Sequence, residues 1–258
     1  EALSGPRGAA WAVTDVVAIS EEDRAGLVAA HPAYARARAH VLHFAPPAAP
    51  AAAAAAGGEG GADVCFLGHG KNPTNALSVR WFLREVWGAA WSPLPAGARL
   101  LLFGGSPEGG WGPTAAAPGA VVDVGEVPDV GTALGTCRAF VGPVVLGTGV
   151  NTKMAEAFAR GVPAVATPKA LAGYGLERAE LENGLVAGAS AAAGGEPVAL
   201  VASTPEEWAA ALTAIHGDAG LRARVRPAAV AHAAWMAERA ARDVGALHAA
   251  LAGEEGGG

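Results

Sequence analysis

The chain of 258 residues carries 18 Lys and Arg against 24 Asp and Glu, a net charge of −6, and 52% of it is hydrophobic, ample for a buried core in one large domain or one and a half ordinary ones. An acidic chain without a basic run, or a Lys/Arg cluster interleaved with aromatics, is not built to follow a nucleic acid backbone, so that partner class is set aside. No apolar run reaches the ~20 residues that span a bilayer, and the segment reads as soluble. The two cysteines, Cys65 and Cys137, both fall at expected strand starts. Buried free thiols are therefore expected rather than a disulfide or a metal pair, which favours a reducing compartment such as the cytoplasm. The chain begins at Glu1 rather than Met, so a signal peptide, anchor or upstream domain, if there is one, is not in view.

In chain order, residues 11–19 (WAVTDVVAI) read as a β-branched strand. Ser20 caps a helix with an acidic first turn, which His31-Pro32 ends near residue 30, and a short strand follows at 39–44. Residues 45–62 are Pro, Ala and Gly with a single charge, Glu59, and read as an interdomain linker. A buried strand at 64–68 leads through His69-Gly70-Lys71-Asn72-Pro73 into a helix over 74–87. Strands follow at 99–104 and 121–125, separated by a Gly/Pro-rich loop. Asp129 is placed to cap a helix over 130–136.

The most informative stretch is 140–168, FVGPVVLGTGVNTKMAEAFARGVPAVATP. A short strand at 139–141 delivers Gly147-Thr148-Gly149 at its C-terminal end, and this loop opens directly onto a helix over 151–160. Free N–H groups and the positive end of the helix dipole favour an anion above the loop, and Lys153 adds a full charge in the same turn. Lys153, Glu156 and Arg160 share one face, while Val150, Met154 and Phe158 form a separate apolar one. Gly161 ends the helix and a strand follows at 164–167. Beyond it, 169–182 reads as irregular, 184–186 as a brief strand before an Ala/Gly insertion, and 198–202 as a further β run. Thr204-Pro205 opens the helical end, with segments at 205–215, 218–225 and 227–251 and a disordered tail over 253–258.

The run PVVLGTGVNTKMAEAFARGVPAVATP resembles the donor-binding signature of retaining glycosyltransferases of the GT-B fold, the group 1 or family 4 type. The resemblance implies a doubly wound, Rossmann-like α/β sheet: the C-terminal, donor-binding half of that fold over residues 63–228. It implies a remnant of the acceptor-side domain over 1–44 and a returning helix over 229–252. The reaction it implies is sugar transfer from a nucleotide-sugar, such as a UDP- or GDP-sugar, to a glycan, lipid or small-molecule acceptor with retention. By this resemblance Lys153 contacts the donor diphosphate and Glu156 holds the ribose, the two candidate catalytic residues. Gly147, Thr148, Gly149, Val150 and Asn151 border the phosphates, Val127 and Pro128 lie against the base through backbone, and His69 and Lys71 are further phosphate candidates. The family's first glutamate is replaced by Thr148, whose hydroxyl is a candidate contact to sugar or phosphate. No metal and no separate cofactor are implied, in keeping with the absence of an Asp-x-Asp pair or a His/Cys cluster from the sequence.

Blander readings stand beside these. Lys153 and Glu156 make a solvated helix pair, and Glu156 and Arg160 an i,i+4 pair, each worth about 0.2–0.5 kcal/mol. Residues 68–72 (GHGKN) lack the leading glycine and the Ser/Thr of a P-loop, and 147–152 (GTGVNT) lack the third glycine of a dinucleotide fingerprint. Two alternative functions remain open: a nucleotide-sugar binding module without turnover, and a GT-B-like sugar-nucleotide epimerase.

Overall fold

The computed structural model describes residues 14–46, 61–87, 94–95, 97–112, 121–147 and 149–252. Residues 47–60 of the linker expected over 45–62, Thr148 and the tail over 253–258 lie outside the described residues. The chain divides into two units, Glu1–Ala45 with Ala237–Gly258, and Pro46–Met236.

In the first unit, β1 (Asp15–Ala18) pairs parallel with β2 (Arg38–Val41), in register Asp15↔Arg38 to Ala18↔Val41. Between them α1 (Glu21–Ala30) starts at Ser20, whose hydroxyl accepts the Asp23 N–H at 3.0 Å, and ends at His31 before Pro32. Asp15 accepts hydrogen bonds from Arg38 at 2.8 and 3.0 Å, and His40 Nε2 lies 2.7 Å from it. Those partners hold its carboxyl far below the ordinary range. His43 reaches Asp243 at 2.7 Å.

The second unit is an eight-stranded α/β sheet. Its strands are β3 (Val64–Leu67), β4 (Leu100–Phe103), β5 (Val121–Gly125), β6 (Ala139–Gly142), β7 (Ala164–Ala166), β8 (Glu177–Glu180), β9 (Val186–Ser190) and β10 (Glu196–Val201). They run in the order β5-β4-β3-β6-β7-β10-β9-β8, parallel from β5 through to β10 and antiparallel for the last two pairs. Helices α2 (Pro73–Trp81), α3 (Val130–Gly135), α4 (Thr152–Ala159), α5 (Pro205–Gly217) and α6 (Ala219–Ala252) accompany it, and the last of these continues into residues of the first unit.

Period-2 alternation along the strands serves two cores. Val64, Phe66, Ala139 and Val141 join one buried cluster with Phe82, Trp87 and Trp208, the rings of Phe82 and Trp208 meeting edge-on at 5.1 Å. The intervening positions of β6 face the other way, and a Cβ on Gly142 would lie 2.5 Å from Met154 Sδ of α4. Helices therefore cover both faces, and the strands are buried on both sides.

Four sequence expectations are corrected. Cys65 and Cys137 are not free thiols but a disulfide, with Cα atoms 5.9 Å apart across 72 residues of sequence. They meet because β3 and β6, distant in sequence, are neighbours in the sheet. The β run expected at 198–202 is β10, but 169–182 is not wholly irregular and the segment after 184 is not a brief strand and an insertion: β8 and β9 form an antiparallel extension specified by pairing to β10 rather than by their own propensity. Pro227 does not separate two helices but lies inside α6. Leu221 and Val225 before it and Ala228, Ala229, His232 and Met236 after it are buried, and this burial outweighs the ~3 kcal/mol cost of an interior proline. The helix expected over 74–87 gives way after Trp81 to a π-helical turn, Phe82–Trp87, which carries the buried Phe82 and Trp87.

Candidate functional site

Strands β3, β6 and β7 lie side by side and parallel, so the segments that follow them emerge at one edge of the sheet, where α/β folds hold their ligands. After β3, Asn72 caps α2 by accepting the Thr74 N–H at 2.9 Å, and Pro73 takes the first helical position. After β6 the chain runs through the glycine loop to α4, with Gly147 at φ 121° and Gly149 at φ 77°, conformations that only glycine adopts without strain. Asn151 caps α4 by accepting the Lys153 N–H at 3.2 Å. After β7, a 3-10 turn (Pro168–Leu171) brings in Lys169.

These segments enclose a cavity of about 370 Å³. Asn72, Thr74 and Asn75 line one side. Gly147, Gly149, Val150, Asn151 and Lys153 from the glycine loop and α4, and Lys169 from the turn after β7, line the rest. No Asp or Glu is among the described lining residues. Lys153 is half-buried, and burial pushes its ammonium below the ordinary lysine value. Its side chain lies along the end of β3, where a Cβ on Gly68 would come within 2.7 Å of Lys153 Cε. Neither lysine ammonium has an ion-pair or hydrogen-bond partner among the described residues. The site thus presents unpaired positive charge beside a helix N-terminus, an arrangement that attracts an anion.

Buried Tyr174 shapes the start of α4 from outside. Its hydroxyl accepts the Ala155 N–H at 2.9 Å and donates to the Asn151 carbonyl at 2.5 Å, standing inside what would be the first i→i−4 bond of the helix. Burial holds this phenol far above its ordinary pKa, so it stays a donor at all working pH values. Phe158 stacks edge-on against the same ring at 5.3 Å, which fixes its direction.

The remaining expected residues sit around this cavity rather than in it. Glu156 pairs with Arg160, the i,i+4 partner. Arg160 in turn packs on the start of α3, where a Cβ on Gly131 would lie 3.1 Å from Arg160 Nε. There Asp129 accepts from the Thr132 hydroxyl and from the Gly131 and Thr132 amides, bonds that hold its carboxyl below the ordinary value. Glu156 is thereby tied to the segment that carries the half-buried Val127 and the exposed Pro128. His69 and Lys71 are exposed and do not line the cavity; His69 Nδ1 accepts the Lys71 N–H at 3.1 Å, and its Nε2 lies 3.5 Å from Glu126. Asn72, Thr74, Asn75, Lys169 and Tyr174 are not singled out by any sequence motif. Asn72 before a proline was legible as a helix cap, but nothing local marks Lys169 or Tyr174.

The family model described as group 1 glycosyl transferases matches residues 61–218, more than half of the chain, and the chain belongs to that family. No protein of curated function matches the chain in sequence. Among solved structures, that of Anabaena HepE in complex with UDP is similar at 12% identity and TM-score 0.59, over 90% of this chain and 64% of that one. The same protein with UDP-glucose gives 12% identity and TM-score 0.57, over 93% and 65%. The chain thus spans less than two thirds of the length of these structures. At such identity the likeness concerns the fold, which is the α/β architecture of GT-B glycosyltransferases. Among the described residues, no helix is long and apolar enough to cross a membrane.

Proposed function

We propose that residues 63–228 form the donor domain of a GT-B glycosyltransferase that transfers a hexose from a nucleotide-sugar to an acceptor hydroxyl with retention. Residues 1–44 belong to the acceptor-side domain and 229–252 to a helix returning toward it. The observation that carries this reading is the cavity at the carboxyl edge of β3, β6 and β7, where the glycine loop, the α4 N-terminus and the unpaired Lys153 converge.

In the transfer, the bond from the anomeric carbon to the β-phosphate oxygen breaks and a bond to the acceptor oxygen forms. The acceptor proton passes to the departing diphosphate. Negative charge grows on that diphosphate as the bond breaks, so groups fixed around it lower the barrier. Lys153 and the positive end of α4 meet this need without reorganisation, because the Asn151 side chain and the Tyr174 hydroxyl already satisfy the Lys153 and Ala155 N–H groups and hold the first turn in place. Gly149 and Val150 bring backbone against the phosphates. Glu156, beside the 126–129 segment, receives the ribose hydroxyls in exchange for part of its pairing with Arg160, and the backbone of Val127 and Pro128 lies against the base. Binding energy from these remote groups positions the reacting carbon.

Calorimetric titration with UDP, GDP and ADP tests the reading. One of the three binds, and Lys153→Ala and Glu156→Ala each weaken it by more than about tenfold, or ~1.4 kcal/mol. A folded chain that binds no nucleoside diphosphate, both alone and within the longer protein, refutes it.

A further inference from the structure

The cavity contains two lysines, and the reading above uses one. Lys153 comes from α4 and leans toward β3, its Cε near Gly68. Lys169 comes from the turn after β7, and β6 separates β3 from β7 in the sheet. Lys153 thus lies by the end of β3 and Lys169 follows β7, the two neighbours of β6 in the sheet, and both line the cavity. Neither has a partner among the described residues, and no carboxylate lines the space between them. Two like charges lining one cavity, one of them, Lys153, partly desolvated, repel each other, and an anion between them relieves that repulsion, a dianion more than a monoanion. Lys169 is exposed but lines the cavity, whereas Lys71 and His69, exposed as well, do not line it.

We propose that Lys169 is the second diphosphate-binding cation, so that the two phosphates of the donor are held between Lys153 and Lys169 across the glycine loop, and not by the loop after β3. This rests on the donor-site reading. It adds that the positive groups come from α4 and from the turn after β7, while the α2 start contributes uncharged donors and acceptors, Asn72, Thr74 and Asn75. One charge per phosphate also makes the site selective for diphosphates over monophosphates, which engage only one of the two.

The test is calorimetry on the full chain with inorganic pyrophosphate, orthophosphate and UDP, GDP and ADP in metal-free buffer, for wild type, Lys169→Met, Lys169→Arg and Lys71→Met, each checked for native circular dichroism. Lys169→Met is expected to weaken pyrophosphate and the preferred nucleoside diphosphate by about tenfold or more, with orthophosphate changed less than about threefold. Lys169→Arg restores most of the loss. Wild-type affinity in Lys169→Met, or a loss found in Lys71→Met instead, overturns the assignment. If wild type binds pyrophosphate through both lysines but binds no nucleotide, the nucleotide reading fails while the lysine pair stands. If the folded wild type binds neither, the pair is refuted as well.

Discussion

Reducing the Cys65–Cys137 bridge should cost this protein a large part of its stability while leaving its anion site intact. The bridge closes a loop with a sequence separation of 72 between a residue of β3 and one just ahead of β6, both fully buried. Closing a loop of that length removes conformational freedom from the unfolded chain, worth about 4 kcal/mol in the chain-entropy model. Against the roughly 5–15 kcal/mol that holds a typical domain together, such a loss moves the unfolding midpoint well outside experimental error. The site lies beyond the carboxyl ends of β3 and β6, whereas Cys137 precedes β6, so the folded reduced protein keeps the cavity geometry. The assay is urea denaturation followed by tryptophan fluorescence, with and without reductant, alongside the Cys65→Ala/Cys137→Ala variant. Nucleoside diphosphate titration then follows on the reduced folded form. Thiol titration of the unreduced, urea-unfolded protein should find no free thiol. Two titrating thiols, or reduced and oxidised transitions that coincide within ~0.5 kcal/mol, would refute the reasoning.

Lys153 titrates below the ordinary lysine value because it is desolvated, and an adjacent phosphate raises it again. Binding near that lowered pKa should therefore take up protons, and affinity should fall as pH rises through it; buffers of different ionisation enthalpy read the uptake, and binding without proton uptake at any alkaline pH where the protein stays folded contradicts it. Tyr174→Phe removes the hydroxyl between Asn151 and Ala155, with an expected cost of about 1–3 kcal/mol in unfolding free energy and weaker diphosphate binding, since the first turn of α4 is freed to close on itself. Unchanged affinity would mean that the turn holds its shape without the phenol. His232 is fully buried, its Nδ1 2.8 Å from Ser190 Oγ, and burial lowers its pKa to about 4 while the Tyr174 backbone pulls the other way. A folded pKa depressed below the unfolded value of 6.5 leaves stability intact above pH 6.5. It removes about 3 kcal/mol as pH falls to 4, a slope that His232→Gln should flatten in urea melts. Gly68→Ala places a methyl 2.7 Å from Lys153 Cε and 2.9 Å from Asn75 Nδ2. The lysine stem can yield, but the buried Phe66 ring lies 3.0 Å away and Asn75 is held to the His69 carbonyl, so the variant should melt below wild type and bind diphosphate several-fold more weakly; wild-type affinity contradicts this.

The loop, helix and strand over 140–168 were legible in the sequence because their determinants are local. Glycines at 147 and 149 license positive φ, Asn151 caps the next helix, and Gly161 ends it. The Ser20, Asp129 and Thr204 caps are of the same kind, each satisfied by an amide two or three residues away. What tertiary structure alone decided involves partners brought together by strand order. Cys65 meets Cys137 because β6 returns beside β3 after β4 and β5 have been laid on the other side. The weak strands β8 and β9 exist because β10 offers an edge to pair with, and Pro227 stays helical because buried residues on both sides of it hold the backbone in place. Lys169 and Tyr174 reach the central loop from beyond β7, a distance no local pattern encodes. The sequence states where the chain turns and caps itself, through bonds spanning a few residues. Which distant side chains complete the site is settled only when burial of the apolar strand faces fixes the order of the sheet.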